Sequence, residues 1–215
     1  MELIQHFFDL FVHLDDHLHA IIRDFGGWTY VLLFLVIFCE TGLVVTPFLP
    51  GDSLLFATGA LAASGSLNAT ALFLLLCAAA ILGDTINYRL GALFGARAEA
   101  GRFRFVKAQH LERTREFYAR HGSKTIVLAR FLPIVRTYAP FIAGASRMDY
   151  RRFVLFNVTG ALLWISLFLI GGYLFGNVPA VQENFGFVVI AIIALSAVPV
   201  TVGFLSSRGA AAKRA

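Results

Sequence analysis

The sequence predicts an all-α integral membrane protein. It is built as an inverted repeat, with two opposed re-entrant helical hairpins, spanning helices and an N-terminal amphipathic helix. Three observations lead there. Of the 215 residues, 58% are hydrophobic and only 14% charged, a balance that no ordinary soluble domain needs. The apolar residues gather in runs near 28–49, 69–95, 153–177 and 185–205, and a spanning helix takes roughly 20 such residues. Three short patterns also recur in one order: Phe-Leu-Pro at 48–50 and 131–133, Phe-x-x-Gly-Ala at 56–60 and 141–145, and LGALFG at 90–95 echoed by GGYLFG at 171–176.

The elements follow in chain order. Residues 1–25 lack the basic start of a signal peptide and carry acids through their middle. Leu3, Phe7, Leu10, Phe11, Leu14, Leu18, Ile21 and Ile22 recur near helical spacing, which predicts an amphipathic helix lying on the membrane surface. His6, His13, His17 and His19 fall on its wet face, without the spacing of a metal site. The next run, 28–65, is broken by Pro47, Pro50 and Gly51. Its second arm is too short to cross, since about a dozen helical residues cover only about 18 Å. It reads as a re-entrant hairpin.

A spanning helix over 67–95 follows, with Gly83, Gly91 and Gly95 allowing close approach. Residues 97–122 form a basic amphipathic segment and 123–147 a second hairpin, broken by Arg130, Pro133, Arg136 and Pro140. Spanning helices over 151–177 and 184–206 and a basic tail over 207–215 complete the chain. Only one full crossing separates the two hairpins, so they open on opposite faces. The basic 97–122 segment, Arg147, Arg151 and Arg152, and the tail with Arg208, Lys213 and Arg214 all belong on the cytoplasmic side. Their charge suits anionic headgroups and gives no reason to expect nucleic acid. Cys39 and Cys77 sit in apolar runs and suggest no disulfide framework.

The chemistry lies at the breaks. The first hairpin carries Glu40 and Asp52, the second Arg130 and Arg136. A charge at membrane depth costs roughly 2.5–3.5 kcal/mol on insertion scales. Facing hairpins would set acid against base and lower that cost. One reading is an ion-pair cluster that only locks the hairpins together. The other is a substrate and proton site. There Arg130 and Arg136 bind a phosphate through their planar forks, and Glu40 and Asp52 carry the coupling protons. Asp52 also stands where it could cap the short helix 53–64. Asp84, Tyr88 and Asn157 are further candidates to line the cavity, with Asn87 beside them. Asn157 and Trp164 read first as packing and hydrogen-bonding residues. No nucleophile stands beside an evident base: the sequence offers no base to Ser53, and His110 and His121 lie in the basic segment. An enzyme, a metal or a cofactor is therefore not expected.

Glu40 with PFLPGD at 47–52, GDTINYRLGALFG at 83–95, ARFLPIVRTYAPFIAG at 129–144 and FNVTGALLW at 156–164 together resemble the DedA family of bacterial inner-membrane proteins. That family is related to the SNARE-associated Golgi protein group. The likeness covers nearly the whole chain after residue 25. It implies opposed re-entrant hairpins, a multi-pass place in the inner membrane with a cytoplasmic C-terminus, and a role in envelope homeostasis that depends on proton motive force. It also implies movement of a lipid phosphate, undecaprenyl phosphate above all or a phospholipid, and that positions matching Glu40, Asp52, Arg130 and Arg136 are required. The expected partners are that lipid, protons and the surrounding membrane lipids, with self-association left open. A small-cation/proton antiporter and a phospholipid scramblase remain alternatives.

Overall fold

A computed structural model of the chain describes residues 24–43, 51–99, 124–176, 178–182, 186–188 and 191–192. All regular structure among them is helical. The expected surface helix up to residue 23, the basic segment beyond Glu99, most of the 184–206 span and the tail lie outside the described residues.

Helix α1 (Trp28–Gly42) buries Thr29, Leu33, Ile37, Glu40 and Thr41, a single stripe at helical spacing. Leu43 leaves it in extended backbone. Helix α2 (Gly51–Ala63) is buried on nearly every side, as an apolar helix without a wet face must be. It closes with Gly65 at φ +83°. Gly65 N donates to Ala62 O and Ser66 N to Leu61 O, the paired bonds that satisfy a helix's last carbonyls. Asn68 then caps the next helix, its Oδ1 accepting from Ala71 N at 2.9 Å. Its own N–H donates to the Tyr30 hydroxyl, which ties the start of α1 to this turn.

Helix α3 (Ala69–Glu99) has 31 residues and is about 46 Å long. The second helix pair is α4 (Lys124–Ala129) and α5 (Pro133–Ala145). Leu132 is extended, as a residue before proline tends to be, and Pro133 opens α5 at its first turn. Pro140 lies inside α5 and has no N–H to give the Arg136 carbonyl. Asp149 caps α6 (Tyr150–Ile165), accepting from Arg152 N at 3.0 Å. A π-helical turn (Ser166–Ile170) continues α6 into α7 (Gly171–Phe175), and α8 (Pro179–Gln182) is a single short turn.

The long helices bind the two pairs crosswise. α3 packs on α1 and on α5, while α6 and its continuation pack on α4 and on α2. Glycines make both cross-contacts, in the same pattern. Gly91 lies against Phe141, Gly95 against Ala145, and Gly144 against Tyr88 and Ala92. Likewise Gly172 lies against Phe56, Gly176 against Ala60, and Gly59 against Leu169 and Tyr173. At five of the six the glycine's Cα hydrogens face the partner's backbone, and at Gly176 they face Ala60 Cβ and Cα, so a side chain at any of them would strike its neighbour. The repeated motifs are therefore the two halves of these joints.

These contacts also set the levels. α1 starts beside the α2–α3 turn and ends at Gly42, whose added Cβ would lie 3.2 Å from Gly83 Cα. Gly83 and Asp84 stand halfway along α3. α5 ends beside Gly95, near the opposite end of α3, and the turn before it reaches Asp84 through Arg130. Both helix pairs thus break level with the middle of α3, one from each end.

Two helices, Ala69–Gly95 and Tyr150–Phe175, are long and apolar enough to cross a membrane. Among the described residues, large apolar side chains such as Trp28, Leu74, Leu155, Leu167 and Leu174 are exposed. Glu40, Asp52, Asp84, Asn87, Arg130, Arg136 and Asn157 are buried. Charge inside and hydrocarbon outside reverses the order of a soluble domain.

Candidate functional site

The charged residues meet where the two helix pairs break. Arg136, in the first turn of α5, reaches across to both acids of the first pair. Its Nη1 donates to Asp52 Oδ1 at 2.6 Å, and its Nη2 to Glu40 Oε1. Glu40 Oε1 also accepts from Gly51 N at 3.1 Å. The Glu40 carboxyl occupies the place where any Cβ on residue 51 would stand. The glycine at the start of α2 is thus a steric requirement of the site.

Arg130 goes elsewhere. It pairs with Asp84 of α3, and its Nη2 donates to Asn157 Oδ1 of α6 at 2.7 Å. Asn157 is held in turn by donation to Ile81 O at 3.1 Å. The sequence set both arginines against Glu40 and Asp52; the structure divides them, Arg136 to that pair and Arg130 to Asp84. The reason is position. Arg130 precedes the break and faces the two long helices, with Gly160 leaving room for its side chain. Arg136 follows the break and faces the first helix pair.

Trp164 joins the two groups. Its indole N–H donates to Asp52 Oδ1 at 2.8 Å, and its ring lies under Arg136 Cζ at 4.9 Å and Arg130 Cζ at 5.7 Å. Both guanidiniums therefore lie within the range of cation–π attraction to one ring. The sequence marked Trp164 as a packing and hydrogen-bonding residue, and the bond to Asp52 agrees; its ring's place beside both guanidiniums was not foreseen. The signal that marks it is its place seven residues after Asn157, on the one buried stripe of α6. Asn87, fully buried, is the second tie. Its Nδ2 donates to Thr41 O at 3.1 Å and to Thr137 O at 2.7 Å. One amide so joins the end of α1 to the loosened turn before Pro140.

Asp84 lines a small cavity of about 10 Å³ with Thr41, Ile126, Arg130, Arg136 and Pro140, room for about one water. Tyr88 does not line it. Its hydroxyl donates to Met148 O, and its ring stacks on Phe153 at a centroid distance of 4.4 Å. One turn beyond Asp84 on α3, it belongs to the next layer, at the α5–α6 turn. Asn157 is bonded to the cluster but is not among the cavity's lining residues. Several buried polar atoms have no hydrogen-bond partner among the described residues: Arg130 Nη1, Arg136 Nε, Glu40 Oε2 and Asn87 Oδ1. No group of His, Cys, Asp and Glu suited to a metal occurs among the described residues.

Fold and site together define a helical protein with large apolar side chains exposed and a buried acid–base cluster at the junction of two broken helix pairs. Comparison with known proteins gives the family. Residues 49–174 match the VTT domain. Over its whole length the chain is 47% identical to Protein DedA of Escherichia coli K12, also covered whole. It is 40% identical to an uncharacterised membrane protein of Mycobacterium leprae, over 77% of this chain and 74% of that one. It is 36% identical to the inner membrane protein YqjA of Escherichia coli K12, over 71% of this chain and 70% of that one. No solved structure is matched. The chain belongs to the DedA family of membrane proteins.

Proposed function

We propose that this protein is a proton-coupled transporter of a lipid phosphate, with undecaprenyl phosphate returning across the inner membrane as the leading candidate. The observation that carries this reading is the state of the arginines. Arg130 and Arg136 are both buried, both border one cavity, and each keeps an N–H group without a partner among the described residues. A buried donor left unmade costs about 1–3 kcal/mol, more when charged. A phosphate offers acceptor oxygens in the geometry that a guanidinium fork matches.

In this reading the two helix pairs are re-entrant hairpins of an inverted repeat, and their breaks meet at mid-membrane. The equal depth of the breaks along α3 and the matched glycine joints support that arrangement. The cavity is far too small for a phosphate, so the conformation is a closed one and loading requires the pairs to part. Carboxylates and phosphate compete for the same guanidiniums. Protonation of the acids releases the arginines to the lipid headgroup, while the hydrocarbon tail stays in the bilayer. Deprotonation on the other side reverses the exchange.

The test is movement of fluorescent undecaprenyl phosphate between leaflets of proteoliposomes under a pH gradient. Wild-type protein should move it, and Arg130→Ala and Arg136→Ala should each lower the rate at least about 10-fold, a loss of about 1.4 kcal/mol in transition-state stabilisation. Unchanged rates in both variants would remove the clamp. One feature favours a second reading, small-cation/proton antiport: buried carboxylates outnumber buried guanidiniums. That reading requires cation-driven pH changes in vesicles that contain no lipid phosphate.

A further inference from the structure

Charge bookkeeping in the cluster leaves a remainder. Glu40 on α1, Asp52 on α2 and Asp84 on α3 face Arg130 and Arg136, and none of the five is more than 7% exposed. The Cys77 thiol on α3 is within electrostatic reach of Arg130, and the residues that α6 bonds to the cluster, Asn157 and Trp164, are neutral. Among the described residues, three carboxylates against two guanidiniums leave one negative charge unmatched. An unmatched charge in a dry interior is so costly that the group neutralises instead.

The hydrogen bonds indicate which acid does so. Asp52 Oδ1 receives Arg136 Nη1 and Trp164 Nε1. Asp84 Oδ2 receives Arg130. Glu40 is lopsided: Oε1 accepts from Gly51 N and Arg136, while Oε2 is buried with no partner among the described residues. An ionised carboxylate spreads its charge over two oxygens, and each needs donors. A carboxylic acid has one accepting carbonyl oxygen and one hydroxyl. With every donor on Oε1, the pattern fits the acid better than the ion, since a neutral hydroxyl left without an acceptor costs less than a charged oxygen left without a donor.

We infer that Glu40 stores a proton on Oε2 in the closed state, while Asp52 and Asp84 stay ionised as the counter-ions of Arg136 and Arg130. The closed cluster is then two ion pairs and one neutral acid, with no net charge. This deepens the transport reading and, in its second part, rests on it. An anion that draws both guanidiniums away leaves Asp52 and Asp84 unmatched, and each takes a proton from the side that the anion came from. A phosphate monoester dianion, which takes both guanidiniums, enters with two protons; a singly charged phosphodiester takes only one guanidinium from its acid and enters with one. Transport is electroneutral in both cases.

Infrared spectroscopy of the purified protein at pH 7, with no lipid phosphate present, tests the stored proton. A carboxylic-acid carbonyl band is expected, shifted by ¹³C labelling of glutamate side chains, unmoved by labelling of aspartates, and lost in Glu40→Gln. The labelling arm needs no mutant, so it stands even if that variant folds badly. Absence of the band, or a band that follows aspartate labelling, overturns the assignment. In proteoliposomes the flux of a lipid phosphate monoester should follow the pH gradient, carry no current and ignore an imposed voltage. A current overturns the proton count. Failure of all lipid phosphates to move, with the glutamate band intact, would sink the transport reading and leave the stored proton standing.

Discussion

Arg136 is where the two helix pairs are held together electrically. Removing a partner from a buried ion pair costs about 3–5 kcal/mol, because the charge left behind stays buried. Arg136→Ala should therefore lower the melting temperature in detergent markedly. Adding Asp52→Asn in the same chain should restore much of the loss, since the stranded charge is gone, but should not restore lipid phosphate binding. Recovery of both together would reduce the cluster to a lock. Asn87 makes a separate prediction. Asn87→Ala strips the side-chain donor from Thr41 O and Thr137 O, and each hydrogen bond lost costs about 0.5–1.5 kcal/mol. Thermal melting should show this loss without any change in the cluster's charge.

At the scale of elements, the glycine joints govern stability. Gly144→Ala and Gly59→Ala each drive a methyl into the backbone of a neighbouring helix; overpacking of this kind costs about 1–3 kcal/mol. Gly171→Ala is the control. Nothing lies within 4 Å of its Cβ position, and alanine in a helix gains about 0.5–1 kcal/mol over glycine. Melting should fall for the first two and hold or rise for the third. If all three behaved alike, close approach would not be what these glycines provide. The joints were legible in the sequence as a repeated motif, because a glycine spacing is local. Their partners were not, because each motif packs on the helix pair of the other half.

For the whole molecule, the two ends of α3 fix the testable geometry. The turn after α2 lies at one end and the turn after α5 near the other. In a membrane they should face opposite sides. With Cys39 and Cys77 replaced, Ser66→Cys should react with an impermeant thiol reagent from the periplasmic side and Arg151→Cys from the cytoplasmic side, both residues being exposed. Labelling of both from one side would refute the inverted arrangement.

The sequence by itself determined the helical class, the two long apolar helices, the breaks at proline and glycine, and the set of acids and bases that those breaks carry. Each of these follows from composition or from neighbours in the chain. Tertiary structure alone decided who meets whom. It turned Arg130 from the first helix pair to Asp84, moved Tyr88 into another layer, and set Trp164 beside both guanidiniums. The physical reason is that burial removes water as a partner. Each buried charge must then settle with whatever group the packing brings within hydrogen-bond reach, and that reach is a property of crossed helices which no run of residues contains.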